Sequence, residues 1–256
     1  MSLVEYSTEG AVGLLELNRP PVNALNSELA LDISAALAEA ADPAIRALVI
    51  AGRGKHFAAG ADISRFVDTF ESGGDQEVAS ELFDTIIELE ELAKPTIAAI
   101  TGAALGGGLE LAMGADFRYM ADSARVGQPE ILLGIIPGAG GTQRLPRIVG
   151  YQRAKEMNLS GRHVLAAEAL EMGLADKVVP ADELMATAME DAAKWAKGPT
   201  LGYAAAKRAM NRGWGRPIAE ALAVEREVFN DVFRTEDAKT GVLAFLNKEQ
   251  AEFQGR

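Results

Sequence analysis

The chain has 256 residues, no cysteine, and a formal net charge of −12 from 25 basic and 37 acidic side chains. A chain of this length buries most of its apolar surface without cross-links, so we expect one compact folded unit. The absence of cysteine excludes disulfides, thiol nucleophiles and cysteine-ligated metals, and the acidic balance argues against binding to nucleic acid or to an anionic membrane.

The first ten residues and the two histidines carry no targeting or metal-binding signal. Residues 1–10 lack a basic segment followed by an apolar one, and no run of about 18 uncharged apolar residues occurs in the sequence. We therefore expect a soluble protein of the cytoplasm with a small-molecule partner. His56 and His163 are far apart and form no HxxxH pair, which favours solvated or packed imidazoles over a metal site.

Strand-like runs and helical segments alternate through the first two thirds of the chain. Apolar runs bounded by Gly, Pro or Asn predict strands at Ala11–Leu17, Ile45–Ala51 and Thr96–Thr101. After these runs the pattern becomes almost continuous helix. We therefore divide the chain into a strand-and-helix (α/β) core over 1–178 and an all-helical region over 179–256 that packs on the core or on a neighbouring subunit.

Several helix boundaries are predicted by capping and breaking residues. Ser27 is the predicted N-cap of a first helix that buries one apolar side, and a second helix is predicted over Gln76–Leu92. In the C-terminal region we predict breaks near Gly198-Pro199, within Gly213–Pro217, and at Gly241.

The segment Phe57–Asp62 has small residues shortly after the predicted strand Ile45–Ala51. Small side chains let a ligand approach the backbone N–H groups. The alternative is a tight strand-to-helix turn in which Asp62 only caps the helix or complements its dipole.

The triple glycine Gly106–Gly108 lies between an apolar strand and a helical run. Free N–H groups at the positive end of a helix dipole favour an oxygen that gains negative charge. Glu110 lies three residues after Gly107 on the same helix face, and its side chain should lean towards those N–H groups. The alternative is a glutamate that only complements the dipole. The segment matches neither the Walker loop nor the GxGxxG dinucleotide pattern.

Glu130 is the third candidate. It follows Pro129 and is flanked by three aliphatic residues, so we expect partial desolvation, which raises the pKa of its carboxyl group. The alternative is a solvated glutamate at the start of a helix. The turn Pro137-Gly138 follows, and a further helix is predicted to open at Ala139–Gly141.

Three segments together resemble the enoyl-CoA hydratase/isomerase (crotonase) superfamily. They are FAAGADI (57–63), ALGGGLELA (104–112) and VGQPEILLGIIPGAGGTQRLPR (126–147), in this order and at these separations. The resemblance extends from about Val12 to the C-terminal helices. It implies a crotonase-like spiral core of repeated ββα units with a C-terminal all-helical trimerisation region, and assembly as a homotrimer or homohexamer.

The resemblance also implies roles for individual residues. The N–H groups of Ala61 and Gly107 match the oxyanion hole that holds the thioester oxygen of an acyl-CoA, and the carbonyl of Ala59 matches a contact with adenine. Glu110 and Glu130 match the two catalytic glutamates of the hydratases. The other substrate-binding positions that the resemblance implies are Gly60, Asp62, Ile63, Gly138 and Lys248.

The chain departs from the family pattern near the expected CoA phosphates. Relatives often carry a lysine just after an Arg-Pro pair, where this chain has Pro21. The C-terminal motif keeps Phe245 and Lys248 but loses two acidic residues, so Lys248 is either a phosphate contact or a solvated lysine. Residues 63–79 correspond to a part of the acyl pocket in relatives.

The pair of glutamates favours a 2-enoyl-CoA hydratase, which needs no metal or redox cofactor. Fatty-acid β-oxidation is the metabolism that we associate with such an enzyme, although the glutamate pair does not specify the pathway. In that reaction Glu110 orients and deprotonates a water for attack at C3, and protonated Glu130 delivers a proton to C2. One alternative is a Δ3,Δ2-enoyl-CoA isomerase that uses one of the same glutamates. The other is a non-catalytic binding protein of the same fold, against which the acidic charge and the intact pair weigh.

Overall fold

The computed structural model describes residues 2–64 and 80–256. The segment 65–79, which holds most of the predicted acyl-pocket segment and the first residues of the predicted second helix, lies outside the described residues. A six-stranded sheet, a three-stranded sheet and ten α-helices make up the described part of the chain. The expected α/β core followed by helices is confirmed.

The larger sheet has the strand order β1-β2-β3-β4-β6-β9, and β1–β2 is its one antiparallel pair among the described residues. Its inner strands β3 and β4 are almost entirely buried, as is typical of parallel strands that are covered on both faces. The strands in chain order are Val4–Glu9 (β1), Val12–Leu17 (β2), Ala47–Gly52 (β3), Thr96–Ile100 (β4), Ala103–Leu105 (β5), Phe117–Ala121 (β6), Arg125–Gly127 (β7), Val164–Leu165 (β8) and Lys177–Val179 (β9).

The three strands predicted from the sequence are confirmed as β2, β3 and β4, with ends shifted by one or two residues. The other six strands were not predicted. Edge strand β1 has only one fully buried residue, and β5, β7, β8 and β9 have two or three residues each, so none of these five carries a long apolar run.

The small sheet β5-β7-β8 holds the loop after β3 against the loop after β5. The Ala58 N–H donates to Ala103 O at 3.1 Å, and the Leu105 N–H donates to Ala58 O at 3.0 Å. These two hydrogen bonds place residues 59–61 directly beside the triple glycine. The fold therefore brings together two segments that are more than 40 residues apart in the sequence.

The first helix begins one residue earlier than its predicted cap implies. Asn26, not Ser27, is the N-cap: its backbone is extended and its Oδ1 accepts a hydrogen bond from the Leu29 N–H at 2.9 Å. Ser27 is the first helical residue, and its hydroxyl donates to Glu81. The helices are Ser27–Ala40 (α1), Ser80–Glu91 (α2), Gly107–Gly114 (α3), Gly141–Val149 (α4), Tyr151–Ser160 (α5), Ala166–Glu171 (α6), Leu184–Ala196 (α7), Thr200–Gly213 (α8), Ile218–Val232 (α9) and Glu236–Asn247 (α10).

The predicted breaks at Gly198-Pro199 and within Gly213–Pro217 are confirmed, but the break at Gly241 is wrong. Gly241 lies inside α10, and the break falls at 233–235, where the Thr235 hydroxyl caps α10. A glycine inside a helix costs only about 1 kcal/mol relative to alanine. This glycine also leaves room for the Phe253 ring, which a Cβ would approach to 3.2 Å.

The helical region is fastened to the core in several places. Helix α7 packs on β2, β3, β4 and β6. Arg46 donates hydrogen bonds to Thr200, Gly198 and Phe253, and Lys207 on α8 forms an ion pair with Asp116 at 3.0 Å. The division at residue 178 stays a prediction. None of the described helices is both long and apolar enough to cross a membrane.

We predict that Gly108→Ala destabilises the protein, because the added methyl group would overlap the Ala58 carbonyl oxygen. Overpacking of this kind costs about 1–3 kcal/mol of unfolding free energy. The matched control is Gly202→Ala in α8, where the new Cβ lies at an ordinary 3.4 Å from Pro199 Cβ, so a gain of about 0.4–1 kcal/mol is expected. Urea unfolding curves measure both, and equal midpoints for the two variants would contradict the prediction.

Candidate active site

Two backbone N–H groups from separate loops converge at the start of α3. A Cβ built on Gly107 would lie 3.9 Å from the Ala61 amide nitrogen. Within residues 2–64 and 80–256, neither the Ala61 N–H nor the Gly107 N–H donates a hydrogen bond. Two free donors at the positive end of a helix are suited to bind one oxygen that gains negative charge.

Local pairing explains why both donors are free. The Leu25 N–H donates to Gly60 O at 2.8 Å and the Asp62 N–H donates to Leu25 O at 2.7 Å, so the amide of Ala61, which lies between them, faces away from Leu25. Gly107 is the first residue of α3, where no preceding turn can accept its hydrogen bond.

Glu110 lies one turn into α3 and is only 2% exposed. Its Oε1 accepts hydrogen bonds from the Ala139 N–H at 2.8 Å and the Gly141 N–H at 2.7 Å. Its Oε2 receives none from the described residues, so one oxygen is fixed and the other is free. Burial raises the pKa of Glu110, while the two amide hydrogen bonds and the charge of Arg144 act in the opposite direction.

Glu130 lies in a 3₁₀ turn, Pro129–Leu133, and its carboxylate reaches the triple glycine. A Cβ on Gly106 would lie 2.8 Å from Glu130 Oε1, so a side chain at this position would displace the carboxylate. Burial raises the pKa of Glu130 to about 7, and the negative charge of Glu110 adds to this effect. The expected desolvation of this carboxyl is confirmed.

Gln128 holds Glu130 in place and was not singled out as a functional residue from the sequence. Its side chain is fully buried, and in the amide orientation that satisfies both of its polar atoms, Nε2 donates to the two Glu130 oxygens at 2.9 and 3.1 Å. A sequence signal could have identified Gln128. It lies two residues before Glu130 in an apolar stretch, and a side-chain amide that is buried there needs a hydrogen-bond partner.

These groups line a cavity of about 480 Å³. The loop residues and the two glutamates form its polar part. Six aliphatic side chains form the rest of the lining: Ile63, Leu82, Leu132, Leu133, Ile135 and Ile136. An apolar wall beside a few convergent polar groups is typical of a site for a small molecule with an aliphatic part.

Comparison with known proteins identifies the family. The family model described as enoyl-CoA hydratase/isomerase matches residues 7–256. The chain belongs to the enoyl-CoA hydratase/isomerase family. Its relatives include a probable enoyl-CoA hydratase of Rhizobium meliloti, 46% identical over 97% of this chain and 96% of that protein. A short-chain-enoyl-CoA hydratase of Clostridium acetobutylicum is 43% identical over 95% and 94% of the two chains.

The solved structures of the family agree with the fold. The crystal structure of an enoyl-CoA hydratase from Bacillus anthracis superposes with a TM-score of 0.91 at 35% identity, covering 99% of this chain and 100% of that one. The resemblance to the enoyl-CoA hydratase/isomerase family is therefore confirmed, and so is the crotonase-like fold class. Trimeric or hexameric assembly stays a prediction.

The structure brings most of the residues that the family resemblance implied into one place. Asp62 and Lys248 do not line the cavity. The Asp62 carboxylate is held instead by Arg19, with Oδ2 at 2.5 Å from Nη2, and by the Ser64 hydroxyl, which donates to Oδ1. Lys248 is exposed at the end of α10. The predicted residues that line the cavity are Ala59, Gly60, Ala61, Ile63, Gly107, Glu110, Glu130 and Gly138.

The two histidines lie outside this site. His163 is exposed and His56 is half-buried, and neither lines the cavity. Among the residues that the structure describes, no group of three or more His, Cys, Asp or Glu side chains is arranged to hold a metal ion.

We predict that Glu110→Gln lowers the pKa of Glu130 from its value of about 7, because it removes a nearby negative charge. The midpoint is read from ¹³C NMR titration of carboxyl-labelled glutamate. Asp62→Asn is the control: it removes a carboxylate that faces Arg19, so the Glu130 midpoint should stay in place. An unchanged midpoint in Glu110→Gln would show that the two carboxyl groups are not coupled.

Proposed function

We propose that the chain catalyses the reversible addition of water to the C2=C3 double bond of a 2-trans-enoyl-CoA, giving a 3-hydroxyacyl-CoA. One observation carries this proposal: two free amides from separate loops, the buried carboxyl group of Glu110 and the half-buried carboxyl group of Glu130 line the same cavity. The family relationship and the hydratase names of the relatives support the same reaction.

The amides of Ala61 and Gly107 would bind the thioester oxygen. Water adds poorly to a double bond unless the neighbouring carbonyl accepts charge as an enolate. Two fixed N–H donors stabilise that charge as it develops, and each such donor is worth about 2.7–4 kcal/mol in well-studied enzymes. The donors are already oriented, so no reorganisation is needed during the reaction.

The two glutamates would move the protons. The free Oε2 of Glu110 accepts a proton from water as the hydroxide adds to C3, while Oε1 stays held by two amides. Glu130, with its pKa near 7, carries a proton that it delivers to C2 of the enolate. The proton gained by Glu110 then returns to Glu130, which restores the starting state.

Further contacts with the substrate follow from the lining of the cavity. We propose that the acyl chain lies against the aliphatic wall, including Ile63, and that Ala59, Gly60 and Gly138 border the thioester and the CoA part. Asp62 would act indirectly, because its carboxylate fixes the loop through Arg19. A contact between Lys248 and a CoA phosphate stays a prediction.

Assembly and location are part of the same proposal. Many large apolar side chains of α9 and α10 are exposed, among them Phe245 at 84% and Ile218 at 75%. We propose that they are buried in a homotrimer or homohexamer. We also propose a cytoplasmic enzyme of fatty-acid β-oxidation. The proposed proton transfers use only protein groups and water, so neither a metal nor a redox cofactor would take part.

A Δ3,Δ2-enoyl-CoA isomerase is the second candidate. The family description covers both activities, and a single carboxyl group with a pKa near 7 can carry a proton between C2 and C4. The position of Glu130 beside the free amides suits this reaction too. It would leave the held carboxylate of Glu110 without a role in catalysis.

Two assays test the proposal. The first measures initial rates of hydration with 2-enoyl-CoAs of increasing chain length, and the second measures migration of the double bond in 3-enoyl-CoAs. Hydration of crotonyl-CoA or a longer 2-enoyl-CoA supports the hydratase. Migration without any hydration would select the isomerase. Binding of acyl-CoA with neither reaction would identify a non-catalytic binding protein.

We predict that Glu110→Gln and Glu130→Gln each lower kcat for hydration by about 10²–10⁴-fold, because each removes one proton-transfer group. Both variants should fold and bind a saturated acyl-CoA, as measured by circular dichroism and calorimetry. Glu91→Gln is the control, since this exposed carboxylate at the end of α2 lies outside the cavity. An unchanged rate in either active-site variant would remove that residue from the mechanism.

We predict that Gly107→Pro lowers kcat by about 10²–10³-fold, because proline removes one of the two free N–H groups. The first position of a helix tolerates proline well, so α3 should survive. Gly107→Ala keeps the N–H, and its Cβ would approach the flexible Leu82 Cδ2 at 3.1 Å, so a much smaller loss is expected. Equal losses in the two variants would mean that the N–H is not the group that matters.

A further inference from the structure

Arg144 on α4 joins the loop that holds Glu110 to helix α2. Its Nη1 donates to Ala139 O at 3.0 Å, while Nε and Nη2 donate to Glu90 Oε2 at 3.1 and 2.5 Å. The Arg144 side chain is only 13% exposed. The guanidinium therefore bridges a carboxylate on α2 and the backbone of the residue whose N–H binds Glu110.

The loop is shaped to receive this guanidinium. Gly140 has a φ of 106°, and a Cβ on it would overlap Arg144 Nη1. The Glu110 Oε1 is bound by the N–H groups on either side of Gly140, those of Ala139 and Gly141. The arginine thus packs against the one residue that separates the two donors, and it binds the carbonyl oxygen of Ala139, the residue that carries the first of them.

Among the residues that the structure describes, few charged groups surround Glu110. Arg144 is the cation whose charge favours ionised Glu110, and its effect opposes that of burial. Glu130 faces Glu110 from the 3₁₀ turn, and Glu90 lies on the far side of Arg144. Removal of the guanidinium would leave Glu110 buried with a neighbouring carboxyl group and only the two amide hydrogen bonds.

We propose that Arg144, anchored by Glu90, is a positioning residue that keeps the Glu110 carboxylate ionised and aligned for the proposed hydration. Arg144 does not line the cavity, so it acts through Glu110 and the loop 139–141. The inference rests on the proposed function for its kinetic consequences only. Its electrostatic consequence is a change in the protonation of the Glu110 carboxyl group, which is measurable without catalytic turnover.

The kinetic test compares three variants at Arg144 and Glu90 with one control variant. Arg144→Gln should lower kcat for hydration by roughly 10–100-fold with KM within about threefold, because misalignment of a catalytic group costs rate rather than binding. The acid limb of its kcat–pH profile should move up by roughly one unit, since loss of the cation raises the pKa of Glu110. Arg147→Gln, an exposed arginine of the same helix, is the control and should change neither quantity.

The other two variants separate charge from geometry. Arg144→Lys keeps the charge but loses the planar guanidinium with its several N–H donors. The acid limb of its kcat–pH profile should therefore stay close to that of the parent, while kcat recovers only in part. Glu90→Gln removes the anchor but keeps the cation, so it should lower kcat less than Arg144→Gln does and should not raise the acid limb. An acid limb that moves equally in Arg144→Gln and Arg144→Lys, or in neither, would overturn the proposal.

NMR titration of carboxyl-labelled glutamate distinguishes failure of this inference from failure of the proposed function. The Glu110 signal is identified by its loss in Glu110→Gln. A higher Glu110 midpoint in Arg144→Gln, restored in Arg144→Lys, supports the positioning role even if the parent protein does not hydrate any enoyl-CoA. A midpoint that is the same in the parent and in a folded Arg144→Gln protein would overturn the role even if hydration is observed.

Discussion

The close approach of two backbones, at Ala58 and Gly108, is the constraint on which the rest of the site depends. A Cβ at Gly108 would overlap the Ala58 carbonyl oxygen, which itself accepts a hydrogen bond from Leu105. This contact is possible only because position 108 has no side chain. The contact holds the two loops together, so that the free amides of Ala61 and Gly107 lie next to each other. Side-chain donors would have to be ordered in each substrate complex, whereas these amides are fixed by the fold.

The two carboxyl groups of the site, those of Glu110 and Glu130, have different surroundings. Burial disfavours the charged form of both. Glu110 is compensated by two amides and by the charge of Arg144, whereas Glu130 faces the amide of Gln128 and the charge of Glu110. Near neutral pH this difference favours a base on one side of the cavity and a proton donor on the other, as the proposed reaction requires.

Sequence patterns predicted elements well where one local rule dominated. The strands β2, β3 and β4 are mostly apolar, so they were found, whereas β1, β6 and the two- or three-residue strands were missed. The cap of α1 was misassigned by one residue because Asn26 and Ser27 are both good caps, and the direction of one side chain decides between them. The predicted break at Gly241 was wrong because one glycine inside a helix costs only about 1 kcal/mol relative to alanine, and this glycine leaves room for the Phe253 ring.

The sequence by itself determined what depends on short spacing: Glu110 lies one turn after Gly107, Glu130 stands alone among aliphatic residues, and the glycines mark where backbones meet. The tertiary structure alone decided the partners. Asp62 turns away to Arg19, 43 residues distant, and Arg144 reaches Glu90 across 54 residues to support the loop that holds Glu110. Local spacing follows from helix geometry, but a contact between distant residues depends on how the sheets and helices pack, which no short pattern encodes.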